Sequence, residues 1–237
     1  MRTDGRAADE MRNVKATLGF SKFAEGSCLI EVGDTMVLCN ASVEERVPPH
    51  VTSGGWVTAE YSMLPRANRE RSKRDISKLK LSGRSAEIQR LIGRSLRSAT
   101  DLEALGQRTI TIDCDVLQGD GGTRTASVTG GFIALALACR RLMEQGKITQ
   151  MPLRTYVSGI SAGIVRNEAL LDLCYEEDSR AMVDLNCVMT AEGDIIELQA
   201  TGEGRPFTPE EQRRLIALCR KGNAVLTQMQ RRCLGEL

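Results

Sequence analysis

The chain has 237 residues, of which 41% are hydrophobic, 27% charged and only 3% aromatic, with a formal net charge of +1. That is long and apolar enough for a buried core, too apolar for a disordered chain, and too nearly neutral for overall charge to point to a polyanion partner. No run of eighteen apolar residues occurs and the polar first fifteen residues lack an apolar leader, so the expectation is a cytoplasmic protein with no membrane association. Eight cysteines without a CxxC pair, together with a single histidine, argue against a zinc site and against an imidazole-dependent nucleophile. The cysteines read as free buried thiols, and His50, after Val47-Pro48-Pro49, reads as a surface residue with no evident partner.

In chain order, residues 27–45 read as two strands joined by a turn at Gly33-Asp34, and residues 55–65 continue extended structure up to Pro65. Between Arg66 and Arg84 stand eight basic residues against two acidic ones, a local +6 inside a chain of net +1. Such a run is either a solvated loop or a surface for RNA, DNA or phosphate. Residues 85–99 form a helix, because Ile88, Leu91, Ile92 and Leu96 recur at helical spacing with Arg90, Arg94 and Arg97 on other faces. Residues 108–117 alternate with period two as a strand, and a glycine turn feeds a mostly apolar helix ending near Gly146.

The second half repeats this vocabulary, with hairpins around Arg166-Asn167 and around Glu192-Gly193-Asp194. The last helix opens with Thr208 as N-cap, Pro209 at the first helical position and Glu211 completing a capping box. Leu215, Leu218, Cys219, Val225, Leu226 and Met229 form its apolar stripe. Helices alternating with antiparallel hairpins, with no linker or repeat, predict one α+β unit over residues 1–237, with mixed sheets packed on helices.

The turn "LQGDGGTRTASVTGG", residues 117–131, sits between a strand and a helix. A helix start offers unpaired N–H groups to an anion; Gly121 and Gly122 permit close approach, Thr123 and Thr125 carry hydroxyls, and Arg124 supplies a fork of donors. The turn has neither a Walker GK[ST] nor a GxGxxG fingerprint, which disfavours nucleoside triphosphates. The glycines could equally serve geometry alone. Arg84, beside Gly83 at the start of another helix, is a second cation able to converge on the same anion. In "YEEDSRAMVDLN", Asp178 and Asp184 are candidates for proton transfer and for a divalent ion; alternation in the strand also allows Asp184 simply to face solvent.

The ordered motifs "FAEGS", "GDTMVLCNASVEE", "GWVTAEYSMLPR", "GRSAEIQRLIGRSLR", "DCDVLQGDGGTRTASVTG", "YEEDSRAMVDLNCVMT" and "GEGRPFT" resemble those of ribonuclease PH, the phosphorolytic 3′-to-5′ exoribonuclease family, over nearly the whole chain. The resemblance implies two βαβ-type halves of the ribosomal protein S5 domain 2 kind and a homohexameric ring, a trimer of dimers. It implies inorganic phosphate as co-substrate, held by Arg84, Gly122, Thr123 and Arg124; catalysis by Asp184 with Asp178; and Mg²⁺ on Asp178 and Asp184. It further implies precursor tRNA as substrate, trimmed beyond its 3′ CCA, with Arg66, Arg71 and Arg74 as RNA contacts, and ribosomal RNA processing or decay as a related role. No S1 or KH extension is expected. Ser82 stands where the family usually has glycine and "VTSGGW" is shorter than usual, departures that bear on loop conformation rather than on the reaction. Two other readings are a catalytically silent RNA-binding ring subunit, which loss of the arginines or aspartates would mark, and a small-molecule kinase, whose glycine-serine nucleotide loop is absent.

Overall fold

The structure, a computed structural model, describes residues 2–74 and 82–237. It is α+β, as the sequence predicts, and built on two sheets. The first has the order β1-β2-β3-β5-β4, from Val14–Leu18 (β1), Gly26–Val32 (β2), Thr35–Glu44 (β3), Trp56–Met63 (β4) and Thr109–Gln118 (β5). All its pairings are antiparallel except β4 with β5, which are parallel and connected through helix α1, Gly83–Ser98, and the short α2, Leu102–Leu105. Helix α1 turns Ile88, Leu91, Ile92 and Leu96 inward, the stripe expected from its spacing. Strand β1 escapes sequence reading because "VKATL" is a short edge strand; its Lys15 is paired with Glu31 across the ladder at 3.1 Å.

Helix α3, Thr123–Glu144, is the centre of the molecule. By length and composition it could cross a membrane, yet 78% of its apolar window is buried inside this fold. It lies so close to the first sheet that a Cβ at Gly130 would meet Ile30 Cγ2 at 2.7 Å, and one at Gly26 would meet the Ala134 carbonyl at 2.0 Å.

The second sheet, order β7-β6-β8-β9, is wholly antiparallel and comprises Val157–Val165 (β6), Glu168–Leu171 (β7), Val183–Thr190 (β8) and Ile195–Thr201 (β9). The β6–β7 turn places Arg166 and Asn167 both at positive φ, 50° and 65°, as a two-residue hairpin requires. Thr129 Oγ1 accepts from Gly159 N at 3.1 Å, which ties β6 to the first half of α3 and joins the sheets there. Helix α5, Pro209–Leu234, begins with the expected capping box. Its buried face differs from the expected stripe: Val225 is 46% exposed, while Asn223, Thr227 and Gln230 are buried. Asn223 and Gln230 donate to the carbonyls of Thr190 and Val157, both at 2.8 Å, so backbone acceptors admit polar side chains to that face.

All eight cysteines are free and only Cys233 is not fully buried. His50 is exposed but does have a partner, packing edge-on against Trp56 with ring centroids 5.1 Å apart.

Candidate functional site: an anion turn facing two carboxylates

Gly122 caps α3 at φ 66°, ψ 24° and, lacking a side chain, leaves the first helical N–H groups without a side-chain cap of its own. Gly121 adopts φ 78°, and a Cβ there would lie 2.5 Å from the Leu173 carbonyl oxygen, so only glycine fits the turn against the backbone preceding the short helix α4, Tyr175–Asp178. The turn is held from beneath. Thr35 Oγ1 donates to the Gly121 carbonyl at 2.7 Å and accepts from Asp120 N at 2.9 Å, while the Arg12 guanidinium donates to the Asp120 carbonyl.

Two expectations about the threonines need correction. Thr125 returns its hydroxyl to the Gly122 carbonyl at 2.9 Å, and Thr123 shares its hydroxyl with Tyr61 at 2.8 Å. Both side chains are buried against their own fold, so the turn presents backbone N–H groups more than free hydroxyls.

The site candidates, Thr123 among them through its place at the start of α3, converge. Arg84, Gly122, Thr123, Arg124, Asp178 and Asp184 line one cavity of about 300 Å³, together with Ser161, Ser179, Ala181, Asn186 and Glu203. Arg84 enters from the first turn of α1, whose N-cap is Ser82, with its hydroxyl accepting from Ser85 N at 3.0 Å. The serine in the glycine's usual place thus starts the helix that carries Arg84. Arg124 is steered by Gln199 of β9, whose Oε1 it reaches at 2.9 Å, and lies 3.7 Å from Glu87 of α1.

Asp184 does alternate with buried Val183 and Leu185, but its face of β8 borders the cavity rather than open solvent. Burial, then repulsion from Asp178, raises its carboxyl to about 6, while Asn186 donates to Oδ2 at 3.0 Å. Burial also raises Asp178, with Arg84 and Arg124 pulling the other way. The result is a carboxyl that gives up its proton less readily than an ordinary aspartate, lining the same cavity as two guanidiniums and a helix N-terminus.

Ser161, Ser179, Asn186 and Glu203 were not legible as site residues. Only Asn186 had a clue, lying two residues along the same strand face as Asp184. Arg66, Arg71 and Arg74 are exposed on the segment after β4 and do not line the cavity. Lys78 and Lys80 of the basic run lie outside the described residues. Among the described residues no three His, Cys, Asp or Glu side chains group as a cation cage.

The two sheets therefore meet at one cavity lined by Arg84, Arg124 and the start of α3 together with the carboxyls of Asp178, Asp184 and Glu203. Residues 10–140 match the 3′ exoribonuclease family, domain 1, and residues 155–222 match domain 2 of the same family. The chain belongs to the 3′ exoribonuclease, ribonuclease PH-like family. The first match supplies Arg84 and Gly122 to Arg124; the second supplies Asp178, Asp184, Asn186 and Glu203.

Solved structures share the fold. The rice (Oryza sativa) Rrp46 crystal structure is 19% identical with a TM-score of 0.77, the alignment covering 98% of this chain and 100% of that one. The Archaeoglobus fulgidus exosome with RNA bound to the active site gives 23% identity and a TM-score of 0.81 over 96% of this chain and 91% of that one. An archaeal exosome core gives 22% and 0.75 over 99% and 91%.

Proposed function

We propose that this protein is a phosphate-dependent 3′-to-5′ exoribonuclease that shortens RNA by phosphorolysis. The observation that carries the reading is the shared cavity, in which Arg84, Arg124 and the Gly122-Thr123 turn face Asp184, a carboxyl raised to about 6. Inorganic phosphate on the turn and arginines is the nucleophile. Its oxygen attacks the phosphorus of the last phosphodiester, the bond from phosphorus to the 3′ oxygen of the preceding nucleotide breaks, and the terminal nucleotide leaves as a nucleoside diphosphate. Asp184 gives its proton to that departing oxygen, which becomes the new 3′ hydroxyl. The arginines and backbone amides offset charge on the transition state and hold the nucleophile in line. Run backwards, the Asp184 carboxylate takes the proton from the 3′ hydroxyl as a nucleoside diphosphate adds.

Two carboxylates completed by substrate oxygens suit Mg²⁺, which commonly takes one or two protein carboxylates. Asp178 and Asp184 would hold it, and it would supply charge neutralisation at the phosphates. The exposed Arg66, Arg71 and Arg74 would track the phosphate backbone of incoming RNA. As the resemblance to ribonuclease PH implies, the chain would assemble as a homohexamer and trim precursor tRNA to its CCA end; the polar N-terminus supports work in the cytoplasm. A silent ring subunit is the competing reading; retention of both arginines and both aspartates in one cavity favours activity.

Steady-state kinetics of Arg84→Gln and Arg124→Gln test the assignment. Both should raise the KM for phosphate at least tenfold, and unchanged phosphate saturation would refute it.

A further inference from the structure

Residues 2 to 12 precede the first strand and lie outside the cavity, yet they carry two of the four buried charged residues of the described chain, Arg2 and Arg12, which pair with the other two, Glu177 and Asp172. The Arg12 and Asp172 side chains are 5% and 3% exposed. Asp172, just after β7, is held at φ 52°, where non-glycine residues are uncommon. Arg12 grips it as a fork, Nε to Oδ2 at 3.0 Å and Nη2 to Oδ1 at 2.7 Å, and its backbone N–H donates to Oδ2 at 2.8 Å. These bonds hold the Asp172 carboxyl below its usual range against the burial that would raise it.

Burying an ion pair is weak evidence for stability, because desolvation can match the attraction. A positional role accounts for the expense better. Arg12 Nη1 donates to the Asp120 carbonyl, while the Gly121 carbonyl accepts from Thr35 Oγ1 at 2.7 Å and lies 3.5 Å from Arg12 Nη2. In a trans peptide the N–H points opposite to the C=O. Fixing these two carbonyls therefore turns the N–H groups of Gly121 and Gly122 away from Arg12 and Thr35, and Gly122 borders the cavity. The same arm reaches the carboxylate side. Arg2 donates twice to Glu177, both at 2.8 Å, and Glu177 accepts from Cys174 N at the start of α4, the helix that ends at Asp178.

We propose that Arg12, clamped by Asp172, is a positioning residue for anion binding, so that the N-terminal arm sets the geometry of a site whose cavity it does not line. This rests on the phosphate reading of the cavity. Arg12→Lys keeps the charge and loses the fork, and Thr35→Val keeps the shape and loses the hydroxyl. Each is assayed for KM of phosphate, KM of RNA, and the rise in melting temperature produced by inorganic phosphate without RNA. The expected result is a tenfold or greater increase in phosphate KM, a smaller phosphate-induced rise, and an RNA KM within twofold of wild type. A residue that only supports the fold would lower the melting temperature without changing the phosphate KM or the phosphate-induced rise. If Arg12→Lys fails to fold, Thr35→Val decides on the same criteria, and unchanged phosphate binding in the folded variants overturns the proposal. Wild-type protein that neither consumes phosphate nor is stabilised by it overturns instead the functional reading on which the proposal stands.

Discussion

A carboxyl enclosed beside another carboxyl ionises reluctantly, and Asp184 rises from 3.8 to about 6 for that reason. Its neutral form is the one the folded chain favours, so the stability it contributes is fully present below about pH 4 and is lost as pH rises through about 6. At one pKa unit per 1.36 kcal/mol, the loss is on the order of 2 to 3 kcal/mol at neutral pH. Asp184→Asn should therefore melt higher than wild type at pH 7.5, with the advantage shrinking as pH falls from 6 toward 4. Its turnover should drop by about 10² to 10⁴, the usual worth of a general acid. Thermal melts across pH with parallel rate measurements check both; normal turnover in the variant would remove Asp184 from the reaction. The sequence exposed this residue because a carboxylate between Val183 and Leu185 interrupts an apolar strand. It could not say whether the polar face met solvent or a cavity, since that depends on α1 and on the turn before α3, both remote in sequence.

Among the elements, α3 explains both what reads easily and what does not. Its apolar run announces a helix, but a helix buried all round shows no amphipathic period, so its position between two sheets was hidden. The spacing to the first sheet rests on glycines. Gly130→Ala would press a methyl against Ile30 and Cys39 at 2.7 and 2.9 Å. Overpacking of this kind costs about 1 to 3 kcal/mol, partly offset by about 1 kcal/mol of helix propensity. Urea unfolding should show a net destabilisation of up to about 2 kcal/mol, and Gly26→Ala, which meets a backbone carbonyl at 2.0 Å, should cost more. A neutral result at Gly26 would contradict the packing described. The capping box of α5 was legible because it is local, whereas buried Asn223 and Gln230 were not, because their partners lie on β8 and β6.

At the scale of the whole molecule, the site exists only because two sheets meet at the start of α3. The motifs from Arg84 to Asp184 could be found one by one in the sequence, but not their distances. The N-terminal clamp was invisible because Arg12 and Asp172 are 160 residues apart. The exposed arginines after β4 carry the expectation about RNA. Replacing Arg66, Arg71 and Arg74 with alanine should raise the RNA KM similarly for all sequences and flatten its salt dependence by up to about 0.7 in logarithmic slope per lost contact, leaving the phosphate KM unchanged. A sequence-dependent loss would mean base reading instead. The most direct test of the account is the identity of the product released from a 3′-extended tRNA in the presence of Mg²⁺, with and without inorganic phosphate. Nucleoside diphosphates formed only when phosphate is present are the predicted result; nucleoside monophosphates formed without it, or RNA bound with no product at all, would contradict it.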